Sequence, residues 1–170
     1  MVKRMELKVE QGDITEQRVD AIVNAANERM RGGGGVDGAI HRAGGPAVLE
    51  DCKARFPDGL PTGEAGWTTG GDLPARWVIH VVGPVYKAGA PERREQLISC
   101  YANALHVADE LGASTMAFPL VSAGVHGWPV DDAIRVATDT LLSTPTSVES
   151  ATLVAFGAEV HDKMVDALRE

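Results

Sequence analysis

The sequence predicts an α/β fold in which a mixed, mostly parallel sheet is covered on both faces by helices. Three observations predict it. Short, nearly all-apolar runs such as Val19 to Asn24 (VDAIVN) and Trp77 to Val82 (WVIHVV) have the character of strands buried on both faces. These runs alternate with stretches whose apolar residues recur at helical spacing. Two runs also lead into glycine-containing loops, Asn24 to Pro46 and Ser122 to Pro129, and ligands of open α/β sheets bind outside the carboxyl ends of the strands.

Taken in order, Met5 to Glu10 alternates Met5, Leu7 and Val9 with Glu6, Lys8 and Glu10, the period of a strand with one solvated face. Gly12, Asp13 and Thr15 end it. Val19 to Asn24 is the second strand, and a helix beginning near Asp37 is expected to turn Ala39, Ile40 and Ala43 inward. From Pro46 to Phe56 a helical period runs through Val48, Leu49, Cys52 and Phe56, closed by Pro57-Asp58-Gly59. Strands follow at Ala65 to Thr69 and Arg76 to Val82, separated by Gly70-Gly71-Asp72. Glu92 to Leu111 is the longest helix, with Leu97, Tyr101, Ala104, Leu105, Ala108 and Leu111 on one face and Gly112 as its stop. Ser114 to Leu120 (STMAFPL) is a further strand. Asp131 and Asp132 then open a helix at its positive end, with Ile134, Ala137 and Leu141 inward, and Thr144-Pro145-Thr146 breaks it. Ala151 to Phe156 is the last strand, and His161 to Leu168 closes the chain as a helix through Met164, Val165 and Leu168.

A length of 170 residues suits one domain over residues 1–170, with no internal repeat or linker to divide it. Hydrophobic residues at 44% and charged residues at 24% exclude a disordered or fibrous chain. The net charge of −8 argues against nonspecific nucleic-acid binding, which needs Lys and Arg to neutralise phosphates. A bound phosphate is therefore expected to be gripped by backbone amides. Cys52 and Cys100 sit in helical patterns without a CxxC spacing and read as buried thiols of a reducing compartment. The start, MVKRMELKVEQG, has basic residues but no apolar run to make a signal peptide, and no stretch approaches the roughly 18 apolar residues of a membrane span. A soluble, cytoplasmic protein is expected.

The stretch from Asn24 to Pro46 is the chemical centre of the chain. Four consecutive glycines, Gly32 to Gly35, are costly to order, and the usual reason to keep them is close backbone approach to a phosphate at the start of the next helix. Gly33, Gly35 and Gly38 can be read as GxGxxG. Against a dinucleotide fingerprint, the loop starts several residues after its strand, and the acid expected about 20 residues on falls at Asp58 in a turn. A P-loop is excluded because no GK[ST] follows. Two amide-rich loops at one sheet edge are suited to clamping a diphosphate, carried by either a cofactor or a substrate.

Several separate motifs then occur in a telling order: Gly12-Asp13-Ile14-Thr15, Asn24-Ala-Ala-Asn27, GGGGVDGAIHRAGGP, Pro61-Thr-Gly-Glu-Ala65, LPARWVIHVVGP and the late SAGVHG loop. Together they closely resemble the macrodomain family, and within it the MacroD-type ADP-ribosyl hydrolases, over nearly the whole chain. The resemblance implies a three-layer α/β/α fold with ADP-ribose in the crevice between the loops. It also implies removal of single ADP-ribose units from acidic side chains, or deacetylation of O-acetyl-ADP-ribose, without metal or cofactor. A non-catalytic ADP-ribose reader is the alternative; an NAD-dependent oxidoreductase is a remote third. The partners implied are ADP-ribose, ADP-ribosylated proteins or O-acetyl-ADP-ribose, for a monomer that binds neither nucleic acid nor membrane.

Roles carry over residue by residue. Asp13, by itself a turn cap, matches the acid that accepts the adenine amino group, with the Ile14 amide beside it, and Phe156 reads equally as core or as an aromatic against adenine. Asn27 matches the distal-ribose asparagine, whereas Asn24 reads as structural, holding the loop through backbone hydrogen bonds. Gly34, Gly35 and Val36 line the first loop. Ser122, Ala123, Gly124, Val125 and Gly127 form the second, where the amides of Ser122, Gly124, Val125 and Gly127 are expected to meet the diphosphate. Asp37, otherwise a helix N-cap, matches the acid that orients or deprotonates the attacking water. His41, one helical turn on, supports it. His126 stands where MacroD-type proteins usually carry Tyr or Phe, and Trp128 where a smaller aromatic is common. His80, His106 and His161 have no zinc-site spacing and read as packed or exposed.

Overall fold

Among the described residues six strands form one sheet: β1 (Glu6–Gln11), β2 (Ala21–Ala26), β3 (Ala65–Thr69), β4 (Trp77–Val82), β5 (Thr115–Phe118) and β6 (Ser150–Ala155). The computed structural model describes residues 4–169; Met1–Lys3 and Glu170, and with them Lys3 of the basic N-terminal pair, lie outside the described residues. The strand order is β1-β6-β5-β2-β4-β3, and every pairing is parallel except β3 with β4. The expected mixed, mostly parallel sheet is therefore the observed one.

Among the described residues five α-helices cover it: α1 (Gly35–Gly44), α2 (Pro46–Arg55), α3 (Pro91–Leu111), α4 (Val130–Ser143) and α5 (Ala158–Leu168). One core joins α3, α4 and α5 to the sheet through Leu97, Tyr101, Leu105, Ile134, Leu141 and Met164, packed on Val23, Ile79, Phe118 and Leu153. On the opposite face Ile40 of α1 packs with Ile22 and Val78, and Val48 and Cys52 of α2 with Ala26 and Met30. The result is a three-layer α/β/α arrangement. Each fully buried large side chain contributes roughly 1.5–3 kcal/mol of apolar transfer.

Element ends differ from expectation for local reasons. β2 runs on to Ala26, so Asn24 lies inside the strand and pairs in register with His80 of β4. Asp20 precedes the strand, its carboxylate accepting the amides of Ser114 (2.7 Å) and Thr115 (3.2 Å). β5 stops at Phe118, before Pro119, which has no N–H for the ladder. α1 begins at Gly35 with Gly34 as its N-cap, so Asp37 is not the cap; Ile40 points inward, but Ala43 is exposed and Gly44 is buried instead. α5 starts at Ala158, three residues before His161. Gly112 ends α3 in the left-handed conformation (φ 73°), as its position predicts.

Candidate active site

The carboxyl ends of the five parallel strands share one edge of the sheet. β1 ends there into Asp13, its neighbour β6 into Phe156, β5 into the second glycine loop, and β2 into the first. Gly12 N donates to Ala155 O at 2.9 Å, which ties Asp13 and Phe156 into one corner. Asp13 caps the short 3-10 turn at Ile14–Glu16, with its Oδ1 accepting both Thr15 N (2.9 Å) and Thr15 Oγ1 (2.7 Å). Ile14 is buried. Phe156 is 95% exposed, which excludes the core reading for that ring.

The first loop reaches α1 through Gly32, at φ 90°, and Gly35, at φ 58°. A close approach explains a further glycine: a Cβ at Gly38 would lie 2.5 Å from Gly33 O, so the first turn of α1 accepts the loop only without a side chain there. Among the described residues no acceptor in the chain takes the amides of Gly34, Gly35 or Val36. This leaves donors at a helix N-terminus, the arrangement that receives anions.

Asp37 lies in that first turn and is only 5% exposed. Its Oδ1 accepts Asn24 Nδ2 at 2.8 Å and lies 3.4 Å from His41 Nε2. Burial raises the Asp37 carboxyl above its ordinary range, while the Asn24 hydrogen bond and the His41 ring draw it back. The expected pairing of Asp37 with His41 across one turn is present. Asn24 is structural but does not hold the loop through its backbone as expected. Asn27 is the one that bonds the loop backbone, donating to Gly32 O (3.2 Å) and accepting Arg29 N (3.1 Å), whereas Asn24 bonds side chains.

The second loop is fixed from below. Tyr101, fully buried on α3, accepts Val121 N at 3.0 Å, and Ser122 (φ 65°) donates its hydroxyl to Pro84 O at 2.7 Å. Gly83 is required beside it, because a Cβ there would collide with Ser122 Oγ and Val121 Cγ1. Trp128 is buried rather than lining the crevice, and Asp132 holds its Nε1 at 3.0 Å while also pairing with Arg94 at 3.1 Å. Arg94 accordingly depresses the Asp132 carboxyl. Among the described residues the amides of Ser122, Gly124, Val125 and His126 have no acceptor in the chain. Gly127 corrects an expectation: its amide donates to Gly124 O at 3.0 Å, so with φ 75° it forms the turn and offers no free donor. Ala123 N likewise turns back to Leu120 O at 3.4 Å. His126 is half-buried, its carbonyl accepting Tyr86 N at 2.8 Å, and its Nδ1 is buried without a partner.

Sequence reasoning missed His80, which is not merely packed. It is buried on β4, 3.1 Å from Asn24 Nδ2 through Nδ1 and 2.9 Å from Thr68 Oγ1 through Nε2, with Cys52 Sγ 3.8 Å from Nε2. Burial, reinforced by His41, lowers its pKa to about 3, so the ring is neutral. The only available signal was a histidine inside the apolar run WVIHVV, since a buried imidazole has to find partners. Cys52 and Cys100 are free buried thiols as expected, pushed up by burial to about 11 and about 12. His106 is exposed on α3, and His161 is half-buried beside Asp162 at 3.1 Å. No helix among the described residues is long and apolar enough to cross a membrane.

A three-layer domain with free loop amides at the carboxyl ends of parallel strands, beside a buried acid, defines an anion-accepting α/β/α domain. Its particular family follows from direct comparison: the chain belongs to the macro domain family, whose model matches residues 23–137. It is similar to macro domain-containing proteins of Streptomyces nogalater (55% identity, covering 89% of this chain and 86% of that protein) and Streptomyces coelicolor (56%, covering 89% and 92%). Among solved structures it is similar to the Oceanobacillus iheyensis macrodomain with ADP (TM-score 0.91, 36% identity, covering 96% of this chain and 90% of that one). The Trypanosoma brucei macrodomain in complex with ADP-ribose is similar too (TM-score 0.88, 36%, covering 96% and 69%).

Proposed function

We propose that the chain binds ADP-ribose along this edge and hydrolyses the ester joining its distal ribose to an acyl group, either a protein carboxylate or acetate. The observation that carries the reading is Asp37, a buried carboxyl of raised pKa at the start of α1 beside a loop with unused amides. Asp13 and Phe156 take the adenine end, the Oδ1 of Asp13 being already occupied by Thr15 and its second oxygen left to accept from the base. The amides of Gly34, Gly35 and Val36 and those of Ser122, Gly124, Val125 and His126 hold the diphosphate, while Asn27 meets the distal ribose. Solved relatives carrying ADP and ADP-ribose support this placement.

In the reaction a water between Asp37 and a phosphate oxygen attacks the ester. Its proton passes to Asp37 and on to the ribose oxygen as the acyl C–O bond breaks, so ADP-ribose leaves as the alcohol and Asp37 is again free to accept, while the acid released ionises to a carboxylate. A base is most effective with a pKa near the working pH, and burial moves Asp37 in that direction. Fixed loop amides and an ordered water supply the positioning. We take the whole chain as one such domain, monomeric and cytoplasmic.

A second reading, binding without cleavage, is favoured by His126, whose ring replaces the usual Tyr or Phe. Calorimetry with ADP-ribose, run beside turnover of acidic-residue-linked ADP-ribose and of O-acetyl-ADP-ribose, separates them. Hydrolysis in the wild type that Asp37→Ala loses at unchanged affinity upholds the enzyme; binding without any turnover upholds the reader.

A further inference from the structure

Behind Asp37 lies a line of buried polar groups that the reaction above does not use. Thr68 on β3 is fully buried; its hydroxyl donates to Thr69 O at 3.1 Å, which leaves Oγ1 as an acceptor for His80 Nε2 at 2.9 Å. A neutral imidazole that donates from Nε2 presents a lone pair at Nδ1. That lone pair meets Asn24 Nδ2 at 3.1 Å, and the second hydrogen of the same amide goes to Asp37 Oδ1 at 2.8 Å. Asn24 is fully buried, and its Oδ1 has no partner. An orphaned buried carbonyl is a real cost, so something must hold the amide in this orientation. Turning it over would aim Oδ1 at the Nδ1 lone pair and at the Asp37 carboxylate together.

We propose that His80 is a positioning residue: through its Nε2–H tautomer, set by Thr68, it fixes the Asn24 amide with Nδ2 toward Asp37 and so keeps Asp37 an ionised base. It rests on the reading of Asp37 as the base for its kinetic consequence alone. The other titratable and charged groups about Asp37 and the relay are His41 on α1, Cys52 and Asp51 on α2, and Arg31 in the loop. None of them replaces the relay, since none donates a hydrogen bond to Asn24. If the lone pair at Nδ1 is removed, one Asn24 N–H is orphaned while the amide still faces Asp37. The reversed amide, accepting from a protonated Asp37, is then the better satisfied arrangement. Loss of the relay therefore raises the Asp37 pKa.

The test is NMR on the whole chain, which does not depend on turnover. Ring 15N shifts report the His80 tautomer, and the 13C shift of the Asp37 carboxyl reports its titration. The proposal expects the Nε2–H tautomer at neutral pH. It also expects an Asp37 pKa raised by about half a unit or more in Thr68→Val, which keeps the side-chain shape, and in His80→Phe, with Thr68→Ser restoring the wild-type value. Each unit of that rise lowers turnover about tenfold on the acid limb, with KM little changed. An Nδ1–H tautomer in the wild type, or an Asp37 titration unmoved in folded Thr68→Val, overturns it. Absence of turnover in the wild-type chain would remove the hydrolase reading and leave the titration result standing.

Discussion

Asn24 and Asp37 meet at 2.8 Å, Nδ2 to Oδ1, with both side chains buried. One comes from the interior of a central strand and the other from the first turn of the helix that the glycine loop delivers. The contact joins the central sheet to the helix that follows the glycine loop. Together with the His41 ring, it opposes the rise that burial gives the Asp37 carboxyl.

The Asp37 pKa is raised in the folded chain, so between its unfolded and folded values the folded state binds more protons, and stability falls as pH rises through that window. Above the folded pKa the full cost of the buried charge is present. Asp37→Asn removes that cost while keeping an oxygen for Asn24. The variant is expected to unfold at a higher temperature than wild type at neutral pH, with the gap closing as pH is lowered. Its turnover is expected to fall by about 10²–10⁴, the usual contribution of a general base. Thermal melts from acid to neutral pH beside single-turnover kinetics check both; a variant no more stable at neutral pH would contradict the assignment of the burial cost.

Gly38 of α1 and Gly34 of the first loop separate stability from binding. Gly38→Ala places a Cβ 2.5 Å from Gly33 O, and overpacking of this kind costs roughly 1–3 kcal/mol, more than the ~1 kcal/mol of helix propensity gained. At Gly34 (φ −95°) a Cβ meets nothing, but it stands beside the free amides. Gly38→Ala should lower the melting temperature. Gly34→Ala should leave it unchanged and weaken ADP-ribose in calorimetry.

Much of this was legible in the residues because it is local. Apolar runs, the glycine stretch and the four-residue spacing of Asp37 and His41 each depend on neighbours along the chain, and Gly112 stops α3 where its position predicts. What depends on strand order was not legible. His80 and Asn24 are 56 residues apart, and only the parallel register of β2 with β4 makes them partners. That Asn27 rather than Asn24 bonds the loop backbone has the same origin: β2 runs two residues further than its apolar run, so Asn24 is buried within a strand and Asn27 begins the loop. Gly127 was misread because its amide closes a turn on Gly124, a contact that composition does not announce.

His126 offers a different experiment. Its Nδ1 is buried without a partner, and an unsatisfied buried polar atom costs about 1–3 kcal/mol. His126→Phe replaces that atom with carbon while the loop amides stay in place. The melting temperature should rise, ADP-ribose affinity should stay close to wild type, and turnover should rise if the ring serves only to pack on the ribose and place the water. Parallel melts, calorimetry and kinetics decide; reduced turnover at unchanged affinity would make the imidazole a participant in the reaction.

Phe156 tests the far end of the crevice. A ring that is 95% exposed contributes almost no apolar burial to folding, so its removal should change stability by no more than about 0.5 kcal/mol. It follows β6 at the same corner as Asp13, which follows β1, and the Gly12 to Ala155 hydrogen bond fixes the two ends together. Stacking of a base on an aromatic ring is worth about 1–3 kcal/mol. Phe156→Ala should therefore weaken ADP-ribose by roughly 5- to 150-fold with an unchanged melting temperature, while binding of ribose 5-phosphate, which lacks the base, stays as in wild type. Equal losses for both ligands would place the ring outside the adenine site, and an unchanged affinity for ADP-ribose would leave its exposure without a role in this ligand.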